Sequence, residues 1–156
     1  MVMARAGFTA ISSGKIRFGK DGRWYSDDEP IPNRAICRLF SRAMTVQTDG
    51  RGRLELGEDK ADVIIEDTPW VVTTVEGDPA RGFTVVLNDE TREPLDPSSL
   101  RVGAGNVLYC RVKEAYEARF LRPAYYDLVR HAEPGDGGTV VLPVGGRRIP
   151  LGERAA

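Results

Sequence analysis

The chain has 156 residues, 22 basic and 23 acidic side chains, and a formal net charge of −1. So even a balance excludes a global field that would steer it onto nucleic acid or an anionic membrane, so no DNA, RNA or membrane partner is expected. No apolar run approaches the ~20 residues needed to cross a bilayer, and Met1 to Thr9 lacks the apolar stretch of a signal peptide, so a cytoplasmic protein is expected.

Cys37 and Cys110 are the only cysteines, which excludes a disulfide scaffold and a zinc site built mainly from thiolates. Both read as reduced, mostly buried thiols. The alternative for Cys37, flanked by Arg34 and Arg38, is a redox sensor whose pKa is lowered by the cations.

Lys15 to Phe18 and Arg23 to Ser26 flank Gly19-Lys20-Asp21-Gly22, whose Asp-Gly pair predicts a hairpin. Pro32 and Asn33 supply helix-starting residues, and Asn33 to Met44 then reads as an amphipathic helix. Ile36, Leu39, Phe40 and Ala43 form its apolar face, and Arg34, Arg38 and Arg42 form a cationic stripe. After Met44 the pattern alternates. Thr45 to Thr48 and Arg53 to Leu56 join through Asp49-Gly50-Arg51-Gly52, and Asp62 to Ile65, Trp70 to Val75 and Gly82 to Leu87 read as further strands. A first unit of residues 1–97 is expected to end at the linker-like Asp96-Pro97-Ser98-Ser99.

The second unit, 98–156, opens with strands Val107 to Val112 and Glu117 to Leu121. Pro123 is tolerated in a first helical turn and starts the second helix, and Tyr125 to Ala132 repeats the apolar spacing of the first helix through Tyr125, Leu128, Val129 and Ala132. Thr139 to Leu142 and Arg147 to Ile149 pair around Gly145-Gly146. Leu56-Gly57-Glu58 and Leu151-Gly152-Glu153 close the strands after each helix. These matches suggest two copies of a hairpin, helix, hairpin unit, with Glu133 to Gly138 as an insertion in the second.

Signatures of common enzymes are missing: no phosphate-binding Gly-rich loop with its Lys, no Gly-x-Ser-x-Gly, no paired Cys or His at metal spacing. No metal site, cofactor or catalytic residue is assigned, and a non-enzymatic protein is expected. His131 reads as a surface residue near a helix C-terminus. Glu66 and Asp67 read first as turn residues. Arg119 and Arg122 stand just before the second helix beside Tyr125 and Tyr126. Guanidinium groups next to aromatic rings suit a phosphate or carboxylate together with a stacked planar base.

Asp21-Gly22-Arg23-Trp24, Pro30-Ile31, Arg34 with Leu39-Phe40-Ser41-Arg42, Asp49-Gly50 and Ile65-Glu66-Asp67-Thr68-Pro69-Trp70 occur in an order that resembles the N-terminal half of the bacterial domain-of-unknown-function family 1285. Ala118-Arg119-Phe120, Tyr125-Tyr126-Asp127-Leu128-Val129 and Gly146 to Gly152 resemble its C-terminal half. The resemblance spans Ile16 to Glu153; no single motif is diagnostic, and the order and spacing carry it. It implies an α+β fold of two similar units, each a curved, mainly antiparallel sheet wrapped around one helix, the second pleckstrin-homology-like. It also implies a site between the halves for a nucleotide-like ligand and a role in signalling. By motif, Trp24, Arg34, Glu66, Asp67, Arg119 and Tyr126 are the candidate ligand-binding residues. The sequence departs from the family pattern at Val144-Gly145-Gly146-Arg147-Arg148, where two arginines replace the apolar and aromatic character expected near the last hairpin. The competing functional class is a protein-interaction adaptor using exposed sheet edges.

Overall fold

The computed structural model describes residues 15–153. The chain divides into two compact units between Pro69 and Trp70. The first contains β1 (Ile16–Phe18), β2 (Trp24–Ser26), β3 (Glu29–Pro30), α1 (Arg34–Ala43), β4 (Met44–Val46), β5 (Gly52–Leu56) and β6 (Asp59–Ile65). These strands form one sheet in the order β3-β2-β1-β6-β5-β4. All its pairs are antiparallel except the central one, where β1 and β6 run parallel with Ile16 opposite Val63 and Phe18 opposite Ile65. Alternation decides which face is covered: Ile16 and Phe18 are buried, and Arg17 between them is only half-buried.

The Asn33 side chain caps α1, accepting from the N–H groups of Ala35 at 2.9 Å and Ile36 at 3.1 Å. The helix buries Ile36, Phe40 and Ser41, which corrects the expected apolar face: Leu39 is 44% exposed. The Trp24 ring lies 4.9 Å from Phe18 and 5.5 Å from Phe40, and its indole N–H donates to Ser41 Oγ at 2.9 Å. A buried indole N–H needs an acceptor. That bond fixes the rotation of α1, drawing a serine inward and turning a leucine out.

The second unit contains β7 (Trp70–Asp78), β8 (Gly82–Leu87), β9 (Arg92–Pro94), β10 (Arg101–Val102), β11 (Leu108–Val112), β12 (Tyr116–Phe120), α2 (Arg122–Val129), β13 (Glu133–Pro134), β14 (Thr139–Val144) and β15 (Arg147–Glu153). β7 to β12 make a six-stranded sheet in the order β10-β11-β12-β7-β8-β9, and β13 to β15 make a separate three-stranded sheet. Here too the central pair is parallel, with Ala118 opposite Trp70 and Phe120 opposite Val72.

The two six-stranded sheets are alike strand for strand. Each is a three-stranded meander followed by a second one, closed by parallel pairing of its first and sixth strands. The duplication is therefore real, but it differs from the repeat suggested by the sequence in two ways. The boundary lies at Pro69 rather than near Asp96, because β7 and β8 pair into the same sheet as β11 and β12. The helices are also not equivalent: α1 stands between the third and fourth strands of its unit, whereas α2 follows the sixth. The two Leu-Gly-Glu segments belong to different contexts, since β14 and β15 pair in the additional sheet.

α2 begins at Arg122, one residue before the expected Pro123, and buries Ala124 and Leu128, with Pro123 in its first turn. It packs on β7, where Asp127 Oδ2 accepts the Val75 N–H at 3.1 Å, just beyond the register shift between Val72 and Thr74. Trp70, Val71 and Val72 are consecutive yet all buried, so β7 is covered on both faces. Among the described residues no helix is long and apolar enough to cross a membrane.

Both thiols are free. Cys110 is buried in β11, and burial, reinforced by Glu93 and Glu117, pushes its pKa up to about 12. Cys37 is half-buried, donates to the Ile31 carbonyl at 3.4 Å, and is also raised, chiefly by burial. Burial, and not the flanking arginines, sets the direction of the Cys37 shift. At pH 7.5 a disulfide-exchange reagent will therefore modify Cys37 more slowly than an unstructured thiol, and Cys110 only after unfolding. Rapid modification of native Cys37 would restore the redox-sensor reading.

Candidate anion-binding cleft

At the C-terminal end of β12 the second unit forms a cleft of about 120 Å³, lined by Gly105, Asn106, Arg119, Leu121, Arg122 and Tyr125 among others. Three local features assemble it. The turn before β11 is left-handed at Gly105 (φ 70°) and Asn106 (φ 59°). A Cβ at Gly105 would meet nothing within 4 Å, so glycine is suited there by backbone conformation and not by crowding. β12 carries Arg119, opposite Tyr109 on one side and Val71 on the other. α2 then starts at Arg122, and its N-cap Leu121 makes no side-chain capping bond.

No carboxylate lines the cleft among the described residues. The two guanidinium groups, together with the positive end of α2, make it a place for a negative charge. The nearby Arg101 stacks on Tyr109 at 4.2 Å and makes two 2.8 Å bonds to Glu117.

The candidate residues read from the sequence are distributed over both units, and they do not all have the character of a site. Trp24 is 1% exposed and belongs to the core of the first unit. Arg34 is exposed in the first turn of α1. Glu66 ties down the first hairpin, accepting from the Lys20 N–H at 2.9 Å and from Arg17 Nη1 at 3.2 Å, bonds to a distant segment and not within its own turn. Asp67 is exposed beside it. Arg119 lines the cleft. Tyr126 does not line it but is 60% exposed, and its ring meets that of the cleft residue Tyr125 edge-on at 5.6 Å.

The Gly105-Asn106 turn was overlooked in the sequence. Its signal was Gly103-Ala104-Gly105-Asn106, a small-residue turn leading into a strand and followed, one hairpin later, by paired arginines at a helix start.

No family model matches the chain, and no curated protein matches it. Solved structures do. A DUF1285 family protein from Silicibacter pomeroyi DSS-3 superposes with a TM-score of 0.67 at 24% identity, over 90% of this chain and 82% of that one. A DUF1285 family protein from Shewanella baltica OS155 gives a TM-score of 0.58 at 17% identity, over 76% of this chain and 92% of that one. The chain thus has the fold of these proteins, which supports the likeness to family 1285 drawn from its motif order.

Proposed function

We propose, from the fold shared with DUF1285 proteins and from a cleft that brings two guanidinium groups to the start of a helix, that the protein is a non-enzymatic sensor of a small, nucleotide-like anion. The observation that carries the reading is the convergence of Arg119, Arg122 and the start of α2 on one cavity. Its volume limits the ligand. About 120 Å³ is well below the roughly 300–1,000 Å³ of pockets that enclose a whole drug-sized molecule, so it holds a phosphate or carboxylate group and leaves the rest outside. The exposed Tyr126 offers a ring on which a planar base stacks. A signalling role fits a binding protein whose ligand is held mainly by its charged end.

Calorimetric titration with a nucleoside monophosphate, its nucleoside and inorganic phosphate tests this. The monophosphate is expected to bind most tightly. Arg119→Ala should weaken it at least about tenfold, equivalent to about 1.4 kcal/mol. Tyr126→Ala should abolish its advantage over phosphate. Equal affinity of wild type and Arg119→Ala would end the proposal.

The edges of the sheets weigh against the adaptor reading. β4 and β10 apart, the edge strands contain proline: Pro30 in β3, Pro94 in β9, Pro134 in β13 and Pro150 in β15. Proline lacks the N–H that an added strand would engage, so these edges are poor templates for pairing.

A further inference from the structure

The arginine pair at the departure from the family pattern lies on a second cavity of the same unit. Its groove is about 400 Å³ and is lined by Pro79, Ala80, Pro143, Val144, Gly145, Gly146, Arg147 and Arg148. Two hairpin turns form it, the one between β7 and β8 and the one between β14 and β15, tied by a hydrogen bond from the Gly145 N–H to the Pro79 carbonyl at 3.3 Å. The volume falls within the roughly 300–1,000 Å³ range of small-molecule sites, unlike that of the Arg119 cleft.

The walls and the rim differ in chemistry. Pro79 and Pro143 have no N–H to donate, and Ala80 and Val144 add only apolar side chains. Gly145 (φ 57°) and Gly146 (φ 77°) form the turn, and a Cβ at either would meet nothing within 4 Å, so that side of the groove is open. At the rim, Arg148 is fixed by the Glu133 carboxylate and by the Pro134 carbonyl at 3.3 Å. Arg147 is exposed and Arg81, next to Ala80, is exposed as well. No carboxylate lines the groove among the described residues. Arg147 and Arg148 thus border an apolar groove, a combination that complements a molecule with an apolar body and a negative head.

We infer that this groove binds a small amphipathic carboxylate of the medium-chain fatty acid type, its alkyl body along Pro79, Ala80, Pro143 and Val144 and its carboxylate at Arg147. The site is separate from the Arg119 cleft and does not depend on it. Octanoate serves as the probe, titrated below its micellar range into isotopically labelled full-length protein while the amide resonances of Gly145, Gly146 and Ala80 are followed. Saturable shifts at these amides are expected with octanoate, and none with octylammonium or acetate, which lack the negative head and the apolar body respectively. Arg147→Glu, at an exposed position, should weaken octanoate binding at least tenfold, and Ala80→Trp should block it by filling the trough. Absence of saturable shifts, equal response to octylammonium, or unchanged affinity in Arg147→Glu would overturn the inference.

Discussion

Replacing Trp24 with alanine is expected to lower the unfolding free energy of the first unit by about 3–5 kcal/mol, the usual cost of truncating a buried aromatic residue. Trp24 is 1% exposed and its ring contacts both Phe18 and Phe40, so the cavity would open between β1 and α1. Two milder substitutions separate packing from hydrogen bonding. Trp24→Phe keeps an aromatic ring but removes the donor to Ser41 Oγ, and Ser41→Ala strands the indole N–H. Each should cost about 1–3 kcal/mol. The double variant should cost less than the sum of the two, because each change removes the same bond. Urea unfolding followed by circular dichroism measures all four variants. A Trp24→Ala midpoint equal to that of wild type would show that α1 is not held by this ring.

In the second unit the largest polar effect is expected at Asp89, whose side chain is only 6% exposed. Asp89 Oδ2 lies 2.9 Å from Lys113 Nζ, and Oδ1 accepts from the Thr91 N–H at 3.0 Å and from its hydroxyl at 2.6 Å. Lys113 in turn lies over the Trp70 ring at 4.9 Å, and its backbone N–H donates to Glu93. Lys113 (φ 48°) and Glu114 (φ 69°) are both left-handed without being glycine. Such residues are strained by about 1–2 kcal/mol each, so the network holds an unfavourable turn in place. Asp89→Ala leaves the lysine unpaired and is expected to cost about 2–3 kcal/mol, less than for a fully buried pair because Lys113 is 28% exposed.

The same group makes stability pH-dependent. Burial by itself raises the Asp89 pKa, but hydrogen bonds from Thr91 and Lys113 outweigh it, and the net shift is downward. A depressed folded-state pKa contributes stability that is present above the unfolded value of about 3.9 and is lost as pH falls through the folded value. Acidification from pH 7 to pH 3 should therefore destabilise wild type more than Asp89→Asn, which has no charge to lose there. Parallel urea midpoints of the two proteins check this; identical acid dependence would remove Asp89 from the account.

Much of the fold was legible because it rests on short-range patterns. Alternation located the β1–β2 hairpin and β8, and the Asn33 cap marked the start of α1. Strands β3, β9, β10 and β13 were missed: they are two or three residues long, too short to show alternation, and exist because a neighbouring strand offers its edge. Pro123 marked the start of α2 to within one residue of Arg122, because a proline is tolerated in a first helical turn. As to the site, Arg119 beside a helix start was recognisable as anion-binding chemistry. Trp24 was not recognisable as core, since motif membership does not distinguish a ligand-contacting aromatic residue from a buried one.

By itself the sequence determined the α+β class, the approximate positions of most strands and of both helices, and the pairing of arginine with tyrosine at the second helix. These follow from period, turn chemistry and side-chain type, all local properties. Only the tertiary structure decided where one unit ends and the next begins, that the common element is a six-stranded sheet closed by a parallel pair, and that Ser41 and not Leu39 faces the core. Those outcomes depend on which distant strands pair and on which buried polar group must find a partner, and neither is encoded in any short stretch of the chain.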